Sequence, residues 1–388
     1  MGVAMLSDLM RAQALRSTIS LEPIDGVSGR LFPPTYPGKG RDDPAEHVVE
    51  QLANNSRRVL IDSVASQANR HEAALVGARA SGLIKFSDVF VDLSGTEVGL
   101  SVLSATEMPH RLSDAILRDS EIEGKSFGQS PVGRRILSAT PADLSPLLEA
   151  SPTTVLFGCW FSQHNMARPL KVQRSVVSEV WAHNAVLGKT VGSRIDPLGI
   201  EKLQLYEAPS GDWTALSAEA ITDKEKPKLH PKKKPSEINH GNIAPTILDR
   251  GITADAVVLN WSMALAAIRR LHFGNPAKDK AGQSYIAALG VISRVLCHQA
   301  GYSLRSRCDL ISKGPLTFEL IDSDGAVSSH VITLAAAQEM LRMAEDGMRK
   351  VDLAIHRRID AKPSKKLIGL IAANAAHQAE GADDGDEA

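Results

Sequence analysis

Apolar and polar positions alternate with two different periods along this chain, and the two periods divide it into strands and helices. Arg16-Ser-Thr-Ile-Ser-Leu-Glu-Pro-Ile24 alternates and is rich in β-formers, which predicts a first strand. From about Arg57 to about Gly77 the spacing is helical: Leu60, Val64, Ala68 and Leu75 fall within one narrow arc. Val89–Leu93 and Val98–Leu103 read as short strands flanking Ser94-Gly95, and Thr140–Leu148 as a short helix with Pro141 near its first turn. Thr153–Phe161 is β-rich and predicts a buried strand. Val172, Val176 and Val180 then predict a helix from Lys171 to about Val186. Val257–Arg270 and Tyr285–Gly301 read as two further helices. Leu316–Ile321 and Val327–Thr333 flank the turn signal Asp322-Ser-Asp-Gly325 and predict a hairpin, and Ala335–Arg358 a last helix. This order is α+β, compatible with a ferredoxin-like sheet enlarged by insertions.

Between these elements lie segments unsuited to element interiors. Gly26–Gly40 holds several Gly and Pro residues around Leu31-Phe-Pro-Pro-Thr-Tyr36, and Met108–Ser130 is polar and Gly-punctuated. Gly192, Pro197 and Gly199 shape a loop over Thr190–Ile200. Thr222–Pro235 carries Lys224, Lys226, Lys228, Lys232, Lys233 and Lys234 with too few apolar residues to pack, and reads as an exposed arm. Beyond Asp360 a fraying, disordered tail is expected.

With 388 residues the chain can bury one elaborate core or two modest ones. The formal net charge is −1, yet Glu380, Asp383, Asp384, Asp386 and Glu387 crowd the last nine residues, so the remainder is mildly basic. A polyanion must therefore bind along a local path. Cys159, Cys297 and Cys308 lack zinc-type spacing and offer no disulfide framework, which fits a reducing, cytoplasmic setting. Met1–Ser20 does not read as a signal peptide, and Ala254–Leu271 is too short and too interrupted to span a bilayer.

The candidate chemistry is binding chemistry. Ser63, Ser66, Gln67 and Arg70 lie beside the apolar stripe of the helix over 57–77. Such an array suits a phosphate and ribose path, against the plain alternative of a solvated helix face. His110 and Arg111 follow Pro109 in an exposed turn that can grip phosphate. Arg168, Lys171 and Arg174 stand at the expected start of the helix over 171–186, where backbone N–H groups favour an anion. Gly188-Lys189-Thr190 lacks the earlier glycine that a P-loop needs, but Lys189 and Arg194 in a Gly-rich segment still allow close approach of a polyanion. Lys232, Lys233 and Lys234 run into Asn239-His240-Gly-Asn242, either a solvated linker or a thumb that orders on RNA. Arg305 and Arg307 alternate as on a strand edge and read as contact or structural residues. Catalysis has little support: the twelve His residues include no HExxH, Asp62 and Glu72 are unpaired, and no GxSxG elbow occurs. No metal or cofactor is expected.

Seven blocks taken in order resemble one family. They are Leu31-Phe-Pro-Pro-Thr-Tyr36, Asp62-Ser-Val-Ala-Ser-Gln-Ala-Asn-Arg-His-Glu72, His110-Arg-Leu-Ser-Asp114, Phe157-Gly-Cys-Trp160, Gly192-Ser-Arg-Ile-Asp-Pro-Leu-Gly199, Lys234-Pro-Ser-Glu-Ile-Asn-His-Gly-Asn242 and Gly301-Tyr-Ser-Leu-Arg-Ser-Arg-Cys-Asp-Leu310. They are similar to the CRISPR-associated RAMP family that forms the backbone of the type I-G (formerly I-U) Cascade complex. The resemblance implies an RRM-like palm with inserted fingers and a thumb. The palm's first part would take residues 1–220, with fingers inserted at about 80–150, a Lys-rich thumb at 221–245, palm completion at 246–358 and a disordered acidic tail at 359–388. It implies copies lined head to tail along one CRISPR RNA, beside other Cascade subunits, exposing guide bases to a target DNA strand. It implies that cutting belongs to a recruited helicase-nuclease and that this subunit is not an enzyme. The family's helix theme maps onto Ser63, Ser66, Gln67, Asn69 and Arg70. One groove is then expected to gather Ser63, Ser66, Gln67, Arg70, His110, Arg168, Lys171, Arg174 and Arg194, leaving sequence reading to base pairing. The alternatives are a metal-independent RAMP endoribonuclease that processes precursor RNA, with His110 as base beside Arg111, and a cytosolic enzyme holding a small phosphate ester.

Overall fold

A computed structural model describes residues 2–38, 45–96, 98–162, 169–194, 198–200, 203, 205–207, 213–214, 230–233, 235 and 243–381. The chain divides into two compact units, Met1–Val186 with Ile252–Gly369, and Leu187–Gly251 with Leu370–Ala388.

The first unit opens with α1 (Gly2–Arg11), β1 (Ala14–Pro23), β2 (Val49–Gln51), β3 (Arg57–Asp62) and α2 (Val64–Ala80). Next come β4 (Asp88–Asp92), β5 (Val102–Ser104), α3 (Ala115–Arg118), β6 (Ser120–Ile122), β7 (Lys125–Ser126) and the short helices α4 (Pro131–Leu137), α5 (Ser145–Ala150) and α6 (Pro152–Leu156). The strands β8 (Cys159–Phe161), β9 (Leu170–Val172) and β10 (Val176–His183) lead to the second unit. That unit holds β11 (Val186–Arg194), which pairs with β15 (Ile243–Thr253), and an antiparallel sheet of β12 (Leu205–Glu207), β13 (Trp213–Thr214) and β14 (His230–Lys233). The first unit resumes with β16 (Ala256–Met263), α7 (Leu265–Ile268), α8 (Pro276–Gln299), β17 (Tyr302–Arg305), β18 (Cys308–Ser312), β19 (Phe318–Ile321), β20 (Val327–His330), α9 (Leu334–Lys350) and β21 (Arg358–Pro363). The last helix, α10, covers Lys365–Gly381.

The main sheet runs β17-β18-β1-β16-β10-β3-β2, with β19 and β20 continuing from β1, and neighbours along that path are antiparallel. Alternation puts Leu15, Ser17, Ile19 and Leu21 of β1 on its buried face, level with Val257, Leu259, Trp261 and Met263 of β16 and with Val176, Ser178 and Val180 of β10. Each buried Leu or Val there contributes about 1.5–3 kcal/mol. Helices α2 and α8 pack on one another and against this face. At Gly290 a Cβ would meet Met263 Sδ at 2.7 Å, so glycine sets how closely α8 crosses β16. The opposite face presents Arg16, Thr18, Ser20, Asn260 and Ser262 to solvent.

A second sheet, β5-β4-β21-β6-β7, is built from the segment after α2 and closed by β21, which lies parallel to β4. Part of the segment expected as an insertion at about 80–150 therefore shares a sheet with a strand from far down the chain. Buried Asp88 anchors it to α2, accepting from Arg79 Nη1 at 2.7 Å and Thr106 Oγ1 at 2.6 Å.

The α+β class holds, and several elements differ from the sequence expectation. Arg57–Asp62 is a strand, so Leu60 does not belong to the stripe of α2. The helix expected over 171–186 is instead β9 and β10: Val172, Val176 and Val180 are β-branched, and their strands pair with β8 (β9) and with β16 and β3 (β10). Val257–Met263 is a strand for the same reason of alternation, followed only by the short α7. The expected strand over 153–161 starts as α6, with Pro152 in its first turn. The helix expected over 140–148 is α5, which starts only at Ser145, with Pro146 in its first turn. The expected disordered tail carries β21 and α10. Its Ala-rich segment favours helix, and residues 382–388 lie outside the described residues. Among the described residues no helix is long and apolar enough to cross a membrane.

Candidate nucleic-acid interface

β3 ends at Asp62, and Ser63 (φ −80°, ψ 164°) caps α2, its Oγ accepting the Ser66 N–H at 3.2 Å. The Asp62 carboxylate is fully buried and has three donors. Gln67 Nε2 and Arg70 Nε reach Oδ2 at 2.6 and 2.8 Å, and Arg305 Nη2 reaches Oδ1 at 2.9 Å. Arg70 Nη2 also donates to Leu304 O at 2.7 Å, Arg305 Nη1 to Ile61 O at 2.6 Å, and Ser178 Oγ to Gln67 Oε1 at 3.0 Å. Gln67 and Arg70 therefore hold the start of α2 against β3, β10 and β17, and Gln67 is buried. Ser63 and Ser66 stay half-buried on the first turn, while Asn69 is exposed.

A turn further along α2, buried Glu72 accepts from Arg111 Nε. Arg111 (φ 52°) also donates from Nη1 to Gly158 O at 3.0 Å, with its guanidinium 5.6 Å from the Phe157 ring centre. Burial pushes the Glu72 carboxyl up, while Arg111 and, more weakly, Arg174 pull it back. His110 is exposed, and its backbone N–H donates to Asp114 Oδ2 at 3.0 Å. Of the two residues expected as a unit, Arg111 is engaged by Glu72 and Gly158 O.

Arg111 meets the chain where the β8–β9 ribbon leaves the core. Gly158 has φ +82°, and a Cβ on it would lie 2.8 Å from Arg174 N and from Val172 O. On the ribbon, Cys159 pairs with Val172, Trp160 with Lys171 and Phe161 with Leu170. Phe161, Leu170 and Val172 are buried, whereas Trp160, Lys171 and Arg174 are exposed. Neither Lys171 nor Arg174 makes a salt bridge to a described residue. Burial pushes the Cys159 thiol up to about 12, so it stays protonated near neutral pH.

Ser63, Ser66, Gln67, Asn69, Arg70, Arg111, Lys171 and Arg174 all belong to the first unit, and Arg174 is close enough to Glu72 to act on its charge. Lys171 and Arg174 do not open a helix, so the helix-terminus argument for an anion does not apply to them; they stand on a ribbon and its exit. Arg168 lies outside the described residues. Lys189 and Arg194 fall on β11 and Lys232 and Lys233 on β14, while Lys234, Asn239 and His240 lie outside the described residues. Sequence reasoning missed two features: Asp62 as the hub of the α2 network, and Trp160 as an exposed ring. The second was visible as a Trp inside the alternating run Cys159-Trp-Phe161.

The solvent face of the main sheet has a different electrostatic character. Arg58 stacks on Trp181 at 3.9 Å and pairs with Glu50 at 2.7 Å, and Arg16 pairs with Glu319 at 2.5 Å. Trp181 Nε1 donates to Glu179, and Thr18 Oγ1 to Asn260 Oδ1 at 3.3 Å, around a concavity of about 230 Å³. Both arginines there already have a carboxylate, so this face offers little to a polyanion.

Residues 15–186 match the model of a family described as CRISPR-associated protein GSU0053. No curated protein matches the chain. Among solved structures, the chain is similar to one described as "CRISPR RNA-guided surveillance complex, pre-nicking", at 12% identity and a TM-score of 0.35, covering 93% of this chain and 99% of that one.

Proposed function

We propose that this chain is the CRISPR RNA-binding backbone subunit of a type I-G Cascade complex. The observation that supports it most is a coincidence of position. The stretch matching a CRISPR-associated family contains β1, β3, α2 and β10, together with exposed cations that carry no carboxylate partner among the described residues. In this reading the main sheet and its helices are an RRM-like palm, the second sheet belongs to the fingers, and the Lys-rich segment at 221–245 is the thumb.

The chemistry follows from the groups available. Lys171 and Arg174 present positive charge to phosphates, while Ser63, Ser66 and Asn69 at the start of α2 offer hydroxyl and amide partners to phosphate and 2′-hydroxyl oxygens. Arg70 and Arg111 act one layer deeper by fixing the elements that carry these groups. None of these groups reads a base, as a subunit repeated along any guide requires, so pairing with the target DNA strand supplies sequence recognition. Successive copies meet head to tail in an open helical array, next to other Cascade subunits and a recruited helicase-nuclease. The binding reading is preferred to the ribonuclease alternative, whose cation beside His110, Arg111, pairs with Glu72.

Coexpression with a CRISPR array followed by size exclusion at two wavelengths tests the reading. The expected result is a large particle carrying RNA of uniform length. A particle of the bare chain, free of RNA with every component supplied, would overturn it.

A further inference from the structure

Trp160 is 65% exposed, a large apolar surface for a short ribbon strand. Trp181, two elements later, is 5% exposed and capped by Arg58. Among the described residues no cation or ring covers Trp160 in the same way. Its cross-strand partner is Lys171, so the two side chains leave the same face of the ribbon. Lys171 also lines a concavity of about 160 Å³ with Pro141, Leu144, Gln173 and Arg270. Arg270 is exposed, and like Lys171 it makes no salt bridge to a described residue. No acid lines the concavity.

An exposed indole whose cross-strand neighbour Lys171 lines an acid-free hollow with Arg270, both cations without a salt bridge to a described residue, matches one nucleotide of a single strand: a flat ring for the base and positive charge for the adjoining phosphate. We propose that this is a nucleotide subsite, in which Trp160 stacks on one base and Lys171 with Arg270 holds the neighbouring phosphate. The proposal rests on the reading of the chain as an RNA-binding subunit and adds to it a base contact. Stacking tolerates any base, so the subsite fixes the position of a nucleotide without selecting its identity. The ribbon is better suited to this than the solvent face of the sheet, where Glu319 and Glu50 already neutralise Arg16 and Arg58.

The test uses the purified full chain and fluorescein-labelled oligouridylate, with Trp160→Ala, Trp160→Phe, Lys171→Ala and Arg270→Ala. Trp160→Ala is expected to weaken binding between about fivefold and a hundredfold, from the energy of one stacked base, and Trp160→Phe to restore most of it. Indole fluorescence should be quenched on binding in wild type and lose that response in Trp160→Phe. Lys171→Ala and Arg270→Ala should each reduce the salt slope by about 0.7. Wild-type chain that binds no oligouridylate and retains no RNA after coexpression overturns both the functional reading and the subsite. Wild type that binds, with Trp160→Ala equal to it and no quenching, overturns the subsite alone. Unchanged affinity for the short oligonucleotide, with fewer copies per RNA in Trp160→Ala, overturns it in favour of a protein contact at this ring.

Discussion

Asp62 Oδ1 accepts a hydrogen bond from Arg305 Nη2 at 2.9 Å, which joins the end of β3 to β17 across 243 residues of chain. With Gln67 and Arg70 on the other carboxylate oxygen, one buried acid aligns two strands and the first turns of α2. Asp62→Ala leaves two arginines and an amide without their shared acceptor. The expected loss is about 3 kcal/mol, the lower end for a broken buried pair because both arginines retain some access to water. Asp62→Asn keeps one carbonyl acceptor and should lose less. Urea denaturation measures both, and an Asp62→Ala midpoint equal to wild type would contradict the hub.

Arg70 and Lys171 read from sequence as partners in one groove, and the structure gives them different work. Arg70→Ala should reduce stability by about 1.5–3 kcal/mol, the range for hydrogen bonds to a charged group. Lys171→Ala should change stability by no more than about 0.5 kcal/mol. The same variant should lower the salt slope of RNA binding by about 0.7, because one phosphate is no longer neutralised. Thermal melts paired with salt titrations separate the two. Equal melting temperatures for both variants would place Arg70 outside the α2 network.

Gly158 occupies φ +82° at the start of the β8–β9 ribbon, with the backbone of Arg174 and Val172 against it. Gly158→Ala meets both an unfavourable dihedral and two backbone atoms at 2.8 Å. A loss of about 1–3 kcal/mol is expected, together with faster amide exchange in β8 and β9, because Gly158 O also receives Arg111. Unchanged exchange across 159–172 would count against this glycine as the ribbon's anchor.

His71 is buried between α2 and α8, where Ser293 Oγ lies 3.3 Å from Nδ1 and Arg294 lies close by. Burial first, and the charge of Arg294 second, lower its pKa from 6.5 to about 3. As pH falls below 6.5 the unfolded chain takes up a proton that the folded chain refuses, so stability declines from pH 6.5 down toward 3. The slope from this one group approaches about 1.4 kcal/mol per pH unit. His183 and His298, also lowered by burial, act in the same sense. Glu72, raised by burial, acts in the opposite sense just above its ordinary range. Comparing wild type with His71→Gln between about pH 5 and 6.5 isolates the His71 contribution: wild type should show the steeper slope. Parallel slopes, or a His71 ring resonance that titrates near its ordinary pKa of 6.5, would refute a neutral buried imidazole.

Patterns confined to a few neighbouring residues were enough to specify part of this protein. The alternation of Arg16–Ile24 specified β1, the Asp322–Gly325 turn specified the β19–β20 hairpin, and long apolar periodicity specified α8 and α9. The polar set Ser63, Ser66, Gln67 and Arg70 was legible because residues three and four apart on a helix share a side. Short Val-rich runs were not legible in the same way. Val172, Val176 and Val180 satisfy a helical spacing, and only the pairing of β9 with β8 and of β10 with β16 and β3 shows them to be strands. The partners of each charge were also invisible, because they come from distant segments. Arg70 and Arg305 meet on Asp62, Arg111 turns to Glu72, and Lys171, opposite Trp160, and Arg174 are left exposed to water. Residue type tells which groups can hold a phosphate. Tertiary structure decides which of them are still available to do so, because a buried carboxylate takes up nearby cations before any ligand arrives.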